Sequence, residues 1–489
     1  MNLVVVSNRL PFAVTREEGG EWKVEPGSGG LVTALRPVLR NRGGRWIGWS
    51  GATEEDLPDA APLFADARRR FGYDLIPVSL TAKERDGFYS GFSNEIIWPL
   101  FHDLVSMCNF DPTYWSAYEA VNRKFAESAA QSARPDDFLW VHDYHLMRVA
   151  TELRAMGVTS RIAFFLHIPF PPLDIFLKLP WRFEVLHSLL AFDLVGFQTV
   201  RDRRNFVQCI RLLLPQVQLS GRGAVWTLRV GEREVRMGSF PISIDVADFE
   251  RRGAEAAVEE KAQKIRGSDP SRRIILGIDR LDYTKGIPQK LEAFRNLLRR
   301  YPEERGTVTL IQVVVPSRED IAGYRDHKVA VERLVGEING EFTRGGWVPI
   351  QYIHRSLEGV SLPGHYRAAD VALVTPLKDG MNLVCKEYCA TRVDGDGVLI
   401  LSEFAGAAAQ LQNGAFLVNP FDVEGVANTL HAALHLEPAE RRFRMRKLRR
   451  VLRDHDIYHW LNTFLEAAIS LELADFPLVQ DYLPVAAGQ

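Results

Sequence analysis

The stretch IILGIDRLDYTKG, residues 274–286, sets how the whole chain is read. Ile274, Ile275, Leu276 and Ile278 form a short apolar run of the kind found in a strand buried on both faces of a parallel sheet. The run stops at Asp279, and two cations follow, Arg280 and Lys285. Gly286 closes the loop before a helical pattern that starts near Pro288. In an open α/β sheet, ligands bind beyond the carboxyl ends of the strands, so this cationic loop is expected to face a ligand crevice. The planar fork of Arg and the point charge of Lys suit a diphosphate that gains negative charge as a bond to it breaks. Two solvated surface cations would produce the same spacing, so the motifs elsewhere must separate the two readings.

Bulk properties narrow the field. A chain of 489 residues exceeds what one core supports, so two or three domains are expected. With 60 basic and 62 acidic residues the chain is nearly neutral, which argues against nucleic acid as a partner. Cys108, Cys209, Cys385 and Cys389 form no Cys-x-x-Cys pair, so neither a zinc site nor a disulfide framework is indicated. The N-terminal MNLVVVSNR lacks a basic start and is too short in its apolar run for a signal peptide. The most apolar region, Ile162 to Trp181, carries His167, Asp174, Lys178 and four prolines, which rules it out as a membrane span. A cytoplasmic protein without membrane contact is expected.

Leu3 to Ser7 reads as a buried strand with Asn8 and Arg9 just past its end. The segment 12–26 reads as a hairpin turning at Gly19-Gly20. It leads to Gly27-Ser28-Gly29-Gly30, a glycine loop opening a helix through Leu31, Leu35 and Leu39. Such a loop can wrap a phosphate or sugar with backbone amides, although it is not the GxGxxG fingerprint of dinucleotide sites. Trp46 to Gly51 reads as the next strand. Phe88 to Pro99 is dense in aromatics, including Tyr89 and Trp98, for which core packing is the default. Phe138 to Val141 and Ile162 to Leu166 share one design, an apolar run ending in polar residues: His142-Asp143-Tyr144-His145 after the first and His167-Ile168 after the second. His142 and His145 have no shared face and no third ligand, so metal is not indicated.

An extended segment, Phe240 to Asp245, marks the domain boundary, followed by a helix from about Asp248 to Arg266. Strands are then expected at Thr307 to Val315, ending before Arg318, at Val348 to Ile353, and at Asp370 to Thr375. The last leads through Lys378, Asp379, Gly380, Met381 and Asn382 into a helix from Leu383 past Glu387. Amides at that helix start can hold an anion, and an acid one turn in can reach ribose hydroxyls. Asp394-Gly395-Asp396 imitates the Asp-x-Asp metal motif of other sugar transferases, but glycines on both sides of Asp396 make it a turn. The basic stretch Arg441 to Arg453 reads as a solvated helix face with Phe443, Leu448 and Leu452 available for packing. Ile457 to Leu473 reads as a final helix. The expected domains are 1–240 and 241–455, with 456–489 crossing back to the first.

Alternating strands and helices in two halves of similar size indicate an α/β protein with two doubly wound Rossmann-like domains facing across a cleft. The motifs VVVSNRLP, FSNEIIWP, HDYHL, FFLHIPFP, FPISID, DRLDYTKG, TPLKDGMNLVCKEY and LSEFAGAA, in that order, closely resemble those of the trehalose-6-phosphate synthases of glycosyltransferase family 20. The resemblance implies the GT-B fold and retaining transfer of glucose from a nucleotide-glucose to glucose 6-phosphate. By matching position, Arg9, Tyr89, Trp98, Asp143 and Arg318 would hold glucose 6-phosphate, and Trp98 and Ile168 would shape anomer choice. Gly29, Gly30, His167, Arg280, Lys285, Leu357, Asp379, Gly380, Met381, Asn382, Leu383, Val384 and Glu387 would hold the donor. Asp143, His167, Arg280, Lys285 and Asp379 would carry the catalytic work, with no cofactor or metal and a possible homo-oligomer. The departing diphosphate itself would take the acceptor proton on the same face of the sugar.

One departure stands out. Pro363 and Gly364 fall where relatives carry a continuous helix, and Leu357 just before them aligns with a contact to the nucleotide base. UDP-, GDP- and ADP-glucose therefore stay open as donors. The rival readings are a glucosylglycerol-phosphate synthase using glycerol 3-phosphate, a catalytically silent sugar-phosphate-binding protein, and a nicotinamide oxidoreductase, for which the dinucleotide fingerprint is missing.

Overall fold

Val4, Val5 and Val6 have no exposed surface, as a β-branched run covered on both faces requires. They lie in β1 (Leu3–Arg9), the pivot of the first of two units in this computed structural model. The structure describes residues 2–16, 22–26, 31–32, 35, 39, 44–56, 64, 72–221, 223–267, 269, 272–318, 321–470 and 476–484. The first unit is Met1–Pro241 with Trp460–Val479, and the second is Ile242–His459 with Gln480–Gln489.

In the first unit, β2 (Phe12–Arg16) and β3 (Trp22–Pro26) pair as a hairpin. The main sheet contains β1, β4 (Gly44–Trp49), β5 (Asp74–Pro77), β6 (Phe138–His142), β7 (Arg161–Phe165), β8 (Leu194–Phe197), β9 (Gln218–Ser220), β10 (Val225–Val230) and β11 (Arg233–Ser239). Its order is β5-β4-β1-β6-β7-β8-β11-β10-β9, parallel from β5 to β11 with β10 and β9 as an antiparallel edge. The chain runs outward from β1 to β5 and then returns to β6 on the other side of β1, with Ser7 opposite His142. That reversal is a topological switch point, where doubly wound sheets open a crevice.

The second unit repeats the logic with β12 (Arg273–Arg280), β13 (Val308–Val315), β14 (Ile350–Ile353), β15 (Val371–Val374), β16 (Val398–Ser402) and β17 (Phe416–Val418). The order is β14-β13-β12-β15-β16-β17, all parallel, with the reversal between β12 and β15. The helix Ile287–Arg300 buries Ile287, Leu291, Phe294 and Leu298, a spacing of one helical face. Those side chains share one core with Ile275, Leu310 and Leu373. The helix Ile457–Ile469 belongs to the first unit from Trp460 onward, where Phe464 stacks on Trp140 at 4.3 Å. No helix among the described residues is long and apolar enough to cross a membrane.

Several expectations need correction. Pro363 and Gly364 do not interrupt their helix, which runs from Ser361 to Ala368. Pro363 sits in the first turn, where its missing N–H has no partner to lose, and the Gly364 amide still donates to Val360 O at 3.0 Å. A Cβ on Gly364 would come within 2.6 Å of Lys261, so glycine admits the neighbouring helix. The single helix expected from Asp248 to Arg266 is two, Val246–Gly253 and Ala256–Arg266. Glu255, in extended conformation, restarts the second. Strand β12 continues through Asp279 to Arg280 because both still pair with β13. Phe443 is exposed rather than packed, under Lys447 Nζ at 4.3 Å. The aromatic stretch is a π-helix, Arg85–Ile97, continued by an α-helical turn Trp98–Phe101.

Candidate active site

Charged, polar and aromatic side chains collect at the carboxyl ends of the strands flanking each switch point. In the first unit Arg9 ends β1 and stays exposed. Its guanidinium lies 4.0 Å from the centroid of the Trp49 ring and 5.5 Å from that of Tyr89. Cation–π contact with two rings holds the head group without neutralising it, so its donors remain usable by an anion. Gly51, at φ 102°, makes the room: a Cβ there would collide with Arg9 Nη1. Tyr89 projects from the π-helix and stacks on His145 at 5.9 Å. Asn94 on the same helix donates to Tyr89 O at 2.8 Å and accepts from Tyr144 Oη at 2.9 Å, tying the helix to the loop after β6.

Asp143 follows β6 with φ 74°, a left-handed conformation costly for a non-glycine residue. Its Oδ1 accepts from the His167 amide at 3.2 Å, and its own amide donates to Phe165 O at 2.8 Å. His142 Nδ1 and His167 Nε2 share a hydrogen bond at 3.2 Å. Burial lowers both imidazoles, His167 to about 3, so the pair is neutral and one ring donates to the other. Trp98 and Ile168 are both buried, Trp98 against Tyr144 with ring centroids 5.8 Å apart.

The histidine pair carries a pH prediction. A folded pKa below the ordinary value near 6.5 means the unfolded chain takes up protons first, so stability is complete above about pH 6.5 and falls as pH drops toward 3. Urea unfolding at pH 7 and 5 is expected to show that loss, and His142→Asn is expected to lessen the difference.

In the second unit Arg280 closes β12 and is 47% exposed, within 4.0 Å of Asp282 Oδ2. Asp282 is fully buried and central to the loop. Its Oδ1 accepts from the Thr284 amide at 3.0 Å and hydroxyl at 2.8 Å, and its Oδ2 faces Arg318 Nη1 at 3.6 Å. Burial alone would raise this carboxyl, but Arg318, Arg280 and Lys285 together outweigh it and hold it at about 2. Lys285 Nζ contacts Asp379 Oδ2 at 2.6 Å, and Asn382 Nδ2 donates to the same oxygen at 3.2 Å. The turn back into the next helix passes through Gly286 at φ 65°, where a Cβ would come within 2.6 Å of Thr375 O.

Asn382 caps the helix Leu383–Thr391 by accepting from the Cys385 amide at 3.3 Å. Leu383 and Val384 therefore supply the first turn, whose amides point at the N-terminal side. Gly380 and Met381 are buried beneath it. One turn in, Glu387 Oε2 accepts from Tyr366 Oη at 2.7 Å, and burial raises its pKa. Leu357 lies in the connection between β14 and the helix Ser361–Ala368. Gly29 and Gly30 lie outside the described residues.

Among the described residues four non-glycine positions have left-handed φ, and three of them, Asp143, Arg318 and Asn382, sit on these strand-end loops. Backbone held in sparsely populated conformations concentrates where a site must be pre-shaped. One cluster offers a cation, aromatic faces, a carboxylate and neutral imidazole to a polyhydroxylated anion. The other offers two cations, Arg280 and Lys285, a carboxylate and a helix start of the kind that suits a diphosphate, with Arg318 on the neighbouring strand end.

Comparison with known proteins adds the decisive observation: residues 1–469 match the model of Glycosyltransferase family 20. The chain belongs to glycosyltransferase family 20. A family-20 relative from Mycolicibacterium gilvum (strain PYR-GCK), named trehalose-6-phosphate synthase, is 44% identical over 481 residues, 96% of this chain and 94% of that protein. Among solved structures, an α,α-trehalose-phosphate synthase (UDP-forming) from Burkholderia xenovorans in complex with glucose 6-phosphate superposes with a TM-score of 0.84 at 34% identity, covering 96% of this chain and all of that one. A structure from E. coli bound with UDP-2-fluoro glucose gives 0.85 at 34% identity with the same coverage. The chain is thus a glycosyltransferase with the two-domain α/β architecture of its family.

Three contributors to these family-20 clusters escape notice in the sequence. Asp282 stands between two cations in Asp279–Lys285, and that spacing alone could have marked it as their counter-charge. Trp49 and Gly51 give no such signal, because their role depends on the position of Arg9, some forty residues away.

Proposed function

We propose that this chain is a retaining glucosyltransferase that moves glucose from a nucleotide-glucose to glucose 6-phosphate, forming α,α-trehalose 6-phosphate. The observation that carries the reading is the placement of Arg280, Lys285 and Asp379 at the switch point of the second sheet, beside a helix start, in a chain 44% identical to a named trehalose-6-phosphate synthase. Arg280 and Lys285 take the donor diphosphate. His167 and Asp379 take the donor glucose, the Gly380–Val384 segment covers sugar and phosphate, and Glu387 takes the ribose. Arg9, Tyr89, Asp143 and Arg318 hold the acceptor, with Trp98 and Ile168 behind it. In the transfer the bond from glucose C1 to the diphosphate oxygen breaks and a bond from C1 to the acceptor's anomeric oxygen forms on the same face. The acceptor proton passes to the departing diphosphate, whose charge the two cations stabilise.

UDP-glucose is the first donor to test, because solved relatives are named as UDP-forming. The uninterrupted helix Ser361–Ala368 supports a family-like approach to the nucleotide base at Leu357. All four cysteines are unpaired, which supports a reducing compartment such as the cytoplasm. The test is a matrix of purified protein with UDP-, GDP- and ADP-glucose against glucose 6-phosphate and glycerol 3-phosphate, following nucleoside diphosphate release. Release with glucose 6-phosphate is expected. Release with glycerol 3-phosphate alone would move the assignment to the glucosylglycerol-phosphate reading, and silence throughout would leave a binding protein.

Gly51→Ala gives a further expectation for the acceptor side. With a Cβ against Arg9 Nη1 and an unfavourable φ, the guanidinium must leave its place between Trp49 and Tyr89. The KM for glucose 6-phosphate is expected to rise about tenfold or more, by loss of a positioned charge-assisted contact. Initial rates at varied acceptor concentration measure it.

A further inference from the structure

Glu304 is 4% exposed, and among the described residues no Lys or Arg pairs with its carboxylate. A buried carboxylate without a compensating charge is costly. Its Oε1 instead meets two imidazoles: His431 Nδ1 at 2.9 Å and His435 Nε2 at 2.7 Å. The two histidines stand four residues apart at the C-terminal end of the helix Val423–Leu434, so they share one face. The three ligand atoms all lie within 4.8 Å of one another.

We propose that Glu304, His431 and His435 form a binding site for a divalent transition-metal cation of the Zn²⁺ type, with water in the fourth position. Two imidazole nitrogens and one carboxylate oxygen are the donor set such an ion takes, with bonds of about 2.0–2.2 Å that set ligand atoms roughly 3.3 Å apart. The present separations of 2.9 and 2.7 Å reach that spacing through a small opening of the cluster. Each imidazole ligates as the tautomer protonated on its other nitrogen. Three further features favour the ion. Tyr301 stacks on His431 with centroids 3.8 Å apart and planes 5° from parallel, fixing the ring's orientation. The His435 side chain is 59% exposed, which leaves a path for the ion and its water. The helix C-terminus adds partial negative charge toward a cation.

The site is separate from the chemistry of transfer. Glu304 precedes the amino end of β13, while Arg280 ends β12 and Arg318 and Asp379 follow the carboxyl ends of β13 and β15. A bound ion would join the connection before β13 to the end of the helix Val423–Leu434, a structural staple independent of the glucosyl-transfer reading.

The experiment titrates EDTA-treated, desalted full-length protein with Zn²⁺ by calorimetry and with Co²⁺ by visible spectroscopy, alongside His435→Ala and Glu304→Gln. Wild type is expected to bind one equivalent at micromolar affinity or tighter, to show the d–d bands of a four-coordinate cobalt centre, and to gain thermal stability with Zn²⁺. His435→Ala, at an exposed position that leaves folding intact, is expected to weaken binding by more than about tenfold, since a direct ligand counts for at least as much as an outer-shell partner. Equal binding by wild type and His435→Ala, or no stoichiometric binding by wild type, overturns the site.

Discussion

Arg280→Ala is expected to lower kcat by about 10²-fold or more, the loss that follows removal of one preorganised charge-stabilising donor. The size follows from how the residue is held. Arg280 is the last residue of a strand paired along its length with β13, so its backbone is fixed while its head group remains half-exposed. Asp282 Oδ2 lies 4.0 Å from that head group, close enough to orient it toward the strand end where the diphosphate is expected. Lys285 differs: its ammonium already contacts Asp379 at 2.6 Å, so part of its charge is spent within the protein. The larger exposure of Arg280, 47% against 10% for Lys285, is the basis for expecting it to take the greater share of the leaving-group charge. Because that charge is larger in the transition state than in the bound donor, kcat is expected to fall more than donor affinity. Steady-state rates at saturating donor and acceptor check the first quantity, and calorimetric binding of the nucleoside diphosphate the second. Near-normal turnover would remove Arg280 from the mechanism.

Asp282→Ala is expected to cost about 3 kcal/mol of stability, the scale of leaving buried cationic partners uncompensated. The pH linkage gives a similar figure. The carboxyl is held at about 2, so its contribution is present above the unfolded value near 3.9 and is lost as pH falls toward 2; at 1.36 kcal/mol per unit this is about 2–3 kcal/mol. Arg318, which faces this carboxylate at 3.6 Å, and Thr284, capped by it, both lose their anchor in the variant. Turnover is expected to fall with stability, because the loop bearing Arg280 and Lys285 is shaped around this side chain. Asp282→Asn keeps the shape and the cap but not the charge, and is expected to recover part of the stability. Urea unfolding of the three proteins at neutral pH decides it, and equal midpoints for wild type and Asp282→Ala would contradict the assigned role.

Much of the architecture is legible before any coordinates. Runs such as Val4–Val6 and Ile274–Ile278 announce strands covered on both faces, because β-branched residues suit a pleated buried surface. Polar residues placed where such runs stop announce the strand-end loops, as at Asp143, His167, Arg280 and Asp379. What stays hidden has specific causes. In Arg85–Ile97 buried residues crowd together, Phe88 and Gly91 to Asn94 among them, so no amphipathic period marks a helix. Pro363 misleads because the penalty for proline depends on its place in the helix, which the sequence does not number. The Arg9–Trp49–Gly51 arrangement and the Glu304–His431–His435 cluster join residues tens to more than a hundred positions apart, and only strand order brings them together.

The most direct measurement starts from UDP-glucose labelled with ¹³C at the donor C1, incubated with glucose 6-phosphate and the purified protein, and reads the product's anomeric carbons by NMR. The labelled carbon is expected in an α linkage to the anomeric oxygen of glucose 6-phosphate, with one nucleoside diphosphate released per disaccharide. A β linkage at the labelled carbon, or free glucose with no disaccharide, would contradict same-face transfer to this acceptor.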